Sequence, residues 1–187
     1  MQLHIKNMVC NRCITTVKST LETLGFITNS IALGEAIVEE EIPSDGLAKI
    51  NQALLIHGFE LIQDKKSTII EKIKNLIIEL IHYTSQTLKT NYSDFIAENV
   101  GLDYEYLSHI FSETEQITIE KYIILQKTER IKELLSYNEL SISEIAFQMN
   151  YSSVQHLSNQ FKKITGLTPT DFREKKSQER KTLDSVG

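Results

Sequence analysis

A pattern in the middle of this chain returns about fifty residues later. Ile96-Ala97 recurs as Ile145-Ala146, Leu107-Ser108-x-x-Phe111 as Leu157-Ser158-x-x-Phe161, Ile117-Thr118 as Leu167-Thr168, and Tyr122 as Phe172. The first pair lies 49 residues apart and the others 50, so one copy has a one-residue insertion in its turn. Two copies are too few to stack as a solenoid, and a duplicated helical module is the simpler reading. With only 7 Gly and 2 Pro in 187 residues, long irregular loops and a many-stranded all-β fold are disfavoured, and helices are expected around the repeat.

In the second copy Ile142, Ile145, Ala146 and Met149 make one helix face, with Ser141 or Ser143 able to cap its start. Asn150 follows where a left-handed residue would turn the chain. Ser152 or Ser153 can cap a second helix whose inner stripe is Val154, Leu157, Phe161 and Ile164. The first copy has the same plan: Phe95, Ile96, Ala97 and Val100, then Gly101, then Leu107, Ile110 and Phe111. A helix, a tight turn and a second helix, with a small Ala where the two cross, suit presentation of the second helix to a DNA major groove.

The run from Ser143-Glu144-Ile145-Ala146 through Tyr151 to Lys163, and on to Gly166-Leu167-Thr168-Pro169-Thr170-Asp171-Phe172-Arg173, resembles the DNA-binding domain of the AraC family of bacterial transcription regulators. The resemblance spans about residues 70–174 and includes the Arg130-Ile131 to Leu134-Leu135 helix that joins the modules in that family. It implies two helix-turn-helix units on one connecting helix, reading successive major grooves with centres about 34 Å apart. By position it implies that Ser153, Gln155, His156, Ser158 and Asn159 face DNA from the second reading helix, and that Lys162, Lys163 and Arg173 meet phosphates. From the first reading helix it implies Tyr104, Glu105, Ser108 and His109. Gln155 and Asn159 suit adenine, and Glu105 can accept from cytosine. This sequence has Asn150 for the usual turn Gly, Asn159 for a frequent Arg, and Ser112-Glu113 for a basic residue. Weaker phosphate contacts are therefore expected from the first module.

The front of the chain has a different rhythm. Leu3 and Ile5 alternate like a strand; Ile14, Val17, Leu21 and Leu24 keep helical spacing up to Gly25; Ile27 to Leu33 and Ala36 to Ile42 are strand-like about Gly34. Ser44 and Asp45 offer caps for a helix carrying Leu47, Ile50 and Leu54, and Phe59-Glu60-Leu61-Ile62 closes the series. The order is β-α-β-β-α-β, the split arrangement of a ferredoxin-like α+β fold.

Met8-Val9-Cys10-Asn11-Arg12-Cys13 falls where the first strand gives way to the first helix, and holds both cysteines of the chain. Two thiols at this spacing can converge on one soft ion, and a helix N-terminus with Arg12 eases their ionisation. Thiolates select copper(I), zinc or similar metals. The same spacing also serves redox pairs, and a pair can persist in a domain used only for dimer contact. Together with the element order, the motif resembles heavy-metal-associated domains over about residues 1–64. That resemblance implies Cys10 and Cys13 as ligands, Met8 as a core residue supporting the loop, and His57 as a candidate third ligand; Asn7 replaces the usual Gly before Met8.

The net charge of −5 by itself opposes a non-specific nucleic-acid coat. It is unevenly spread: residues 1–64 carry four basic residues against eight acidic ones, a net −4, whereas Phe161 to Lys181 carries seven against three, a net +4. The expected division is residues 1–64, an all-α DNA-binding domain at 65–174, and a disordered tail at 175–187. No apolar run approaches a membrane span, no leader opens the chain, and a soluble cytoplasmic protein is expected. No Ser/His/Asp grouping, paired carboxylates or Gly-rich phosphate loop points to an enzyme. The expected function is sequence-specific transcription regulation on double-stranded DNA, metal-responsive through Cys10 and Cys13. Alternatives are thiol redox sensing, constitutive regulation with a structural front domain, or a metal chaperone or buffer. The stripe from Ile69 to Ile81 is read as the first core helix of the DNA domain, with a homodimer seam as its other use.

Overall fold

The computed structural model describes residues 1–84 and 90–175, and the chain forms two compact units, Met1–Leu76 and Ile77 onward. In the first, β1 (Gln2–Lys6), α1 (Asn11–Thr23), β2 (Thr28–Ala32), β3 (Glu35–Val38), α2 (Ser44–Leu55) and β4 (Glu60–Ile62) follow one another as the periodicity predicts. The sheet is antiparallel throughout, in the order β2-β3-β1-β4. Leu3 pairs with Ala36 and Ile5 with Leu61. These residues are buried, whereas Gln2, Lys6 and Ile37, one step out of phase, are exposed, because side chains alternate across a strand. Val17 and Leu21 of α1 and Ile50 and Leu54 of α2 complete this core, together with Met8. Gly25, at φ 87°, ends the α1 turn. The expected caps Ser44 and Asp45 do not cap α2: Pro43 occupies the cap position, and Asp45 in the first turn pairs with Lys49 at 3.8 Å.

Next comes α3 (Lys65–Ile78), whose path continues as a π-helical turn over Glu79–Tyr83. Its first part belongs to the front unit. Asn7 N–H donates to the buried Glu71 Oε1 at 3.0 Å, and Asn75 packs so close to Gly34 that a Cβ there would lie 2.1 Å from Asn75 Nδ2. These contacts lie beyond the expected boundary at residue 64, and the units divide inside the helix, after Leu76.

In the second unit Ile77, Ile78 and Ile81 are buried. They are followed by α4 (Tyr92–Val100), α5 (Tyr104–Glu115), α6 (Ile119–Tyr137), α7 (Ile142–Gln148), α8 (Val154–Thr165) and α9 (Pro169–Lys175). The repeat appears in the capping chemistry. Asp103 Oδ1 accepts from the N–H groups of Glu105 and Tyr106 at the start of α5, and Ser153 Oγ from that of His156 at the start of α8. Thr118 caps α6 through Lys121 N–H, and Thr168 caps α9 through Asp171 N–H. The two turns use Gly101 at φ 82° and Asn150 at φ 55°. Asn tolerates this left-handed conformation better than most residues with a side chain, which answers the missing turn glycine. Ala146 is buried at the α7–α8 crossing among Ile131, Leu134, Leu135, Leu157, Phe161 and Phe172. Val154 departs from the predicted inner stripe, being 39% exposed. Of the expected tail, Lys175 ends α9 and the remainder lies outside the described residues. Among the described residues no helix is long and apolar enough to cross a membrane.

Candidate nucleic-acid interface

Burial of Leu157 and Phe161 fixes which side of α8 faces outward. Gln155, His156, Asn159, Lys162 and Lys163 are exposed, and Ser158 is half-buried. Gln155 Nε2 donates to Asn159 Oδ1 at 2.8 Å. The bond leaves Gln155 Oε1 as an acceptor and Asn159 Nδ2 as a donor, so the paired amides offer jointly what each amide was expected to offer adenine alone. His156 stands with its ring edge-to-face on Tyr151, centroids 5.2 Å apart, and its Nδ1 is 3.1 Å from Ser152 Oγ. Ser153 is engaged as the helix cap.

Tyr151 has a larger part here than the sequence disclosed. Besides packing on His156, it donates its hydroxyl to Gln160 Oε1 at 2.5 Å, so one aromatic in the turn holds two side chains of α8. The only sequence signal was an aromatic directly after the turn residue. Burial pushes the Tyr151 hydroxyl up to about 12, and the neighbouring Tyr92 adds to the shift; the group is a neutral donor over the physiological range.

The cations sort differently from the expectation. Lys162 and Lys163 lie exposed in the last turn of α8, where positive charge also suits the helix dipole. Arg173, expected on a phosphate, is half-buried: its Nη2 donates to Leu140 O at 2.7 Å and its Nε is buried. In the first module Glu105 and His109 are exposed on α5, while Tyr104 and Ser108 are half-buried. Burial, then the charge of Glu120, pushes the Tyr104 hydroxyl above its ordinary range. No Lys or Arg occurs anywhere in α5, whose sequence is YEYLSHIFSETE. The weaker cation surface inferred for this module is thus a property of the whole helix.

A second cluster lies in the front unit. Cys10 is the N-terminal cap position of α1, its carbonyl accepts from Cys13 N–H at 2.9 Å, and the two sulfurs lie 3.3 Å apart. Burial acts to raise the Cys10 thiol, but hydrogen bonds from the Cys13 amide and thiol and from Arg12 outweigh it and leave Cys10 below its ordinary value. Cys13 is raised, by burial first and then by the Cys10 thiol and its charge. Asn7 holds the loop at φ 71° and secures it through Nδ2 to Gly58 O at 2.9 Å, so it takes the conformation a glycine would and adds a bond that glycine lacks. The candidate third ligand His57 is exposed and not brought to the pair: among the described residues no group of three or more His, Cys, Asp and Glu converges.

Residues 96–175 match the family described as a helix-turn-helix domain. The chain is similar to the melibiose operon regulatory protein of Escherichia coli K12, at 31% identity over 88 residues, covering 47% of this chain and 29% of that protein. It is also similar to the xylose operon regulatory protein of the same strain, at 27% over 128 residues, covering 68% and 33%. The chain thus spans a third or less of the length of these relatives. Among solved structures, the C-terminal domain of AraT, a response regulator from Geobacillus stearothermophilus, superposes with a TM-score of 0.52 at 26% identity, covering 64% of this chain and 94% of that one.

Proposed function

We propose, from a C-terminal unit that is a helix-turn-helix DNA-binding domain of the AraC type, that this chain is a sequence-specific transcription regulator reading double-stranded DNA with α8 and α5. One observation carries the reading: the duplicated helix-turn-helix exposes, on the second helix of each copy, hydrogen-bonding side chains opposite the buried pairs Leu107 and Phe111, and Leu157 and Phe161. In α8 the Gln155–Asn159 pair would meet an adenine edge, His156 would offer Nε2, and Lys162 and Lys163 would neutralise phosphates. Glu105, Ser108 and His109 of α5 would read the neighbouring groove with less help from phosphate contacts. The test is selection of bound duplexes from a random-sequence pool with the full chain: an enriched motif is expected, and its absence would reject sequence-specific reading.

For the front unit, the β-α-β-β-α-β order and the Met8-x-Cys10-x-x-Cys13 loop support a ferredoxin-like, heavy-metal-associated domain. Two soft sulfurs side by side at a helix N-terminus, one of them held below its ordinary value by hydrogen bonds, fit a thiophilic ion such as copper(I) or zinc. Cys10 and Cys13 would hold it, and the ion would supply positive charge and a cross-link between them. If binding there alters DNA affinity, DNA alters metal affinity by the same factor, typically about 1–3 kcal/mol. Repeating the DNA selection with and without copper(I) reads this coupling, and identical binding in both excludes it. The 3.3 Å sulfur separation also suits a dithiol–disulfide pair; mild oxidation in place of copper(I) tests that second reading.

A further inference from the structure

The connecting helix α6 changes character at its centre. Tyr122 is buried against Phe111 of the first module and Ile131, Leu134 and Leu135 are buried in the core of the second, whereas Gln126, Thr128 and Glu129 between them are buried and polar. The apolar stripe is therefore interrupted along the middle of α6. Lys127 stands in this interval, and its ammonium lies 5.2 Å from the ring centroid of Tyr92 and 5.1 Å from that of Tyr151. The rings come from different modules: Tyr92 is the first residue of α4, and Tyr151 lies in the turn between α7 and α8. Among the described residues Lys127 makes no ion pair, so the rings are its counterparts. A cation between two aromatic faces is attracted by both, and more strongly where water is excluded.

We propose that Lys127 is a positioning residue that ties the two modules together through Tyr92 and Tyr151 and so fixes the separation of DNA half-sites the chain accepts. The tie reaches the second reading helix directly, since Tyr151 packs on His156 and bonds Gln160. It reaches the first through α4, which packs on α5, with Ile96 of α4 and Leu107 and Phe111 of α5 all buried. Half-sites one helical turn apart are read together only if both helices present the correct face at the correct rise. An inserted base pair changes both, and a rigidly tied pair of modules rejects it. The inference rests on the DNA-reading function proposed above.

The experiment measures binding of the full chain to duplexes carrying the selected motif, with its half-sites at native separation and one base pair further apart. Wild-type protein is expected to lose about tenfold in affinity on insertion. Lys127→Met is expected to lose less than about threefold, with affinity for one isolated half-site unchanged. Lys127→Arg, which keeps a cation between the rings, restores the wild-type penalty; Tyr92→Leu behaves as Lys127→Met does, and combining the two adds nothing. A general loss of stability would instead weaken all duplexes alike. Retention of the full wild-type penalty in Lys127→Met and Tyr92→Leu, or a uniform loss at every separation, overturns the proposal. A wild-type motif confined to one half-site also overturns it while DNA reading stands, whereas no motif at all removes the reading itself.

Discussion

The ring of Phe161 meets that of Phe172 edge-on, with centroids 5.6 Å apart and planes at 85°. Fifty residues earlier, Phe111 meets Tyr122 at 5.7 Å and 62°. In each copy the second helix of the helix-turn-helix is held down by an aromatic from the helix that follows it, so α6 and α9 are the closing elements of their modules. Truncating Phe172→Ala removes one side of such a contact and leaves a cavity in a fully packed interior. A loss of about 3–5 kcal/mol is expected in urea unfolding; a loss under about 1 kcal/mol would show that α9 is dispensable to the module.

Lys162 and Lys163 differ from Arg173 in what they are free to do. Replacing both lysines with Ala is expected to weaken binding to every DNA sequence alike and to flatten the salt dependence by about one unit of slope per lysine. Affinity and slope equal to wild type would remove both from the interface.

Arg173→Ala is expected to show the opposite profile. Its Nη2 donates to Leu140 O, so the variant should lose about 1–3 kcal/mol of stability by leaving that carbonyl unpaired, with an unaltered salt slope among molecules that remain folded. A slope change matching that of a single lysine would return Arg173 to the phosphate backbone.

The two thiols should separate by reactivity. Cys10 is lowered and Cys13 raised, and the thiolate is the form that alkylates. At neutral pH, limited iodoacetamide labelling followed by peptide mass analysis is expected to mark Cys10 well ahead of Cys13. Equal labelling would contradict the asymmetry.

Lys127 gives stability a defined pH dependence. Burial pushes its ammonium down to about 8 from an ordinary 10.5, so between these values the unfolded chain holds the proton that the folded chain has released. Stability from this group then rises with pH across the window: the cost of burying the charge is fully present below about 8 and gone above 10.5. The stability of Lys127→Met minus that of wild type is expected to fall steadily from pH 8 towards 10.5 in denaturant titrations. A difference that stays flat shows that Lys127 is not depressed. Tyr92 and Tyr151, both raised to about 12, contribute the reverse above pH 10, so the difference is read between pH 8 and 10.

What the sequence discloses here is mostly short-ranged. Helical spacing places Ile145, Ala146, Leu157 and Phe161 in one core, and Asn150 at the turn marks a left-handed residue, because periodicity and turn chemistry act within a few positions. The Cys10–Cys13 proximity is legible for the same reason. The inward path of Arg173 is not, since Leu140 lies 33 residues away. Nor is the end of the front unit, which depends on Glu71 reaching Asn7 across 64 residues. Pro43 at the start of α2 misleads in another way: Ser44 and Asp45 fit a cap by type, but the chain enters its first helical turn one residue earlier than a Ser44 cap requires and two earlier than an Asp45 cap requires. The Gln155–Asn159 bond is local and still not legible, because exposed amides at i and i+4 satisfy each other as readily as they await a base.

The unequal charge of the two second helices has a further consequence. With α5 bare of Lys and Arg and α8 ending on two lysines, a DNA site read by both has a head and a tail. A single copy would then lie on it in one direction only, as an arrow does, and the site would need no palindrome to define which way the protein points along the genome.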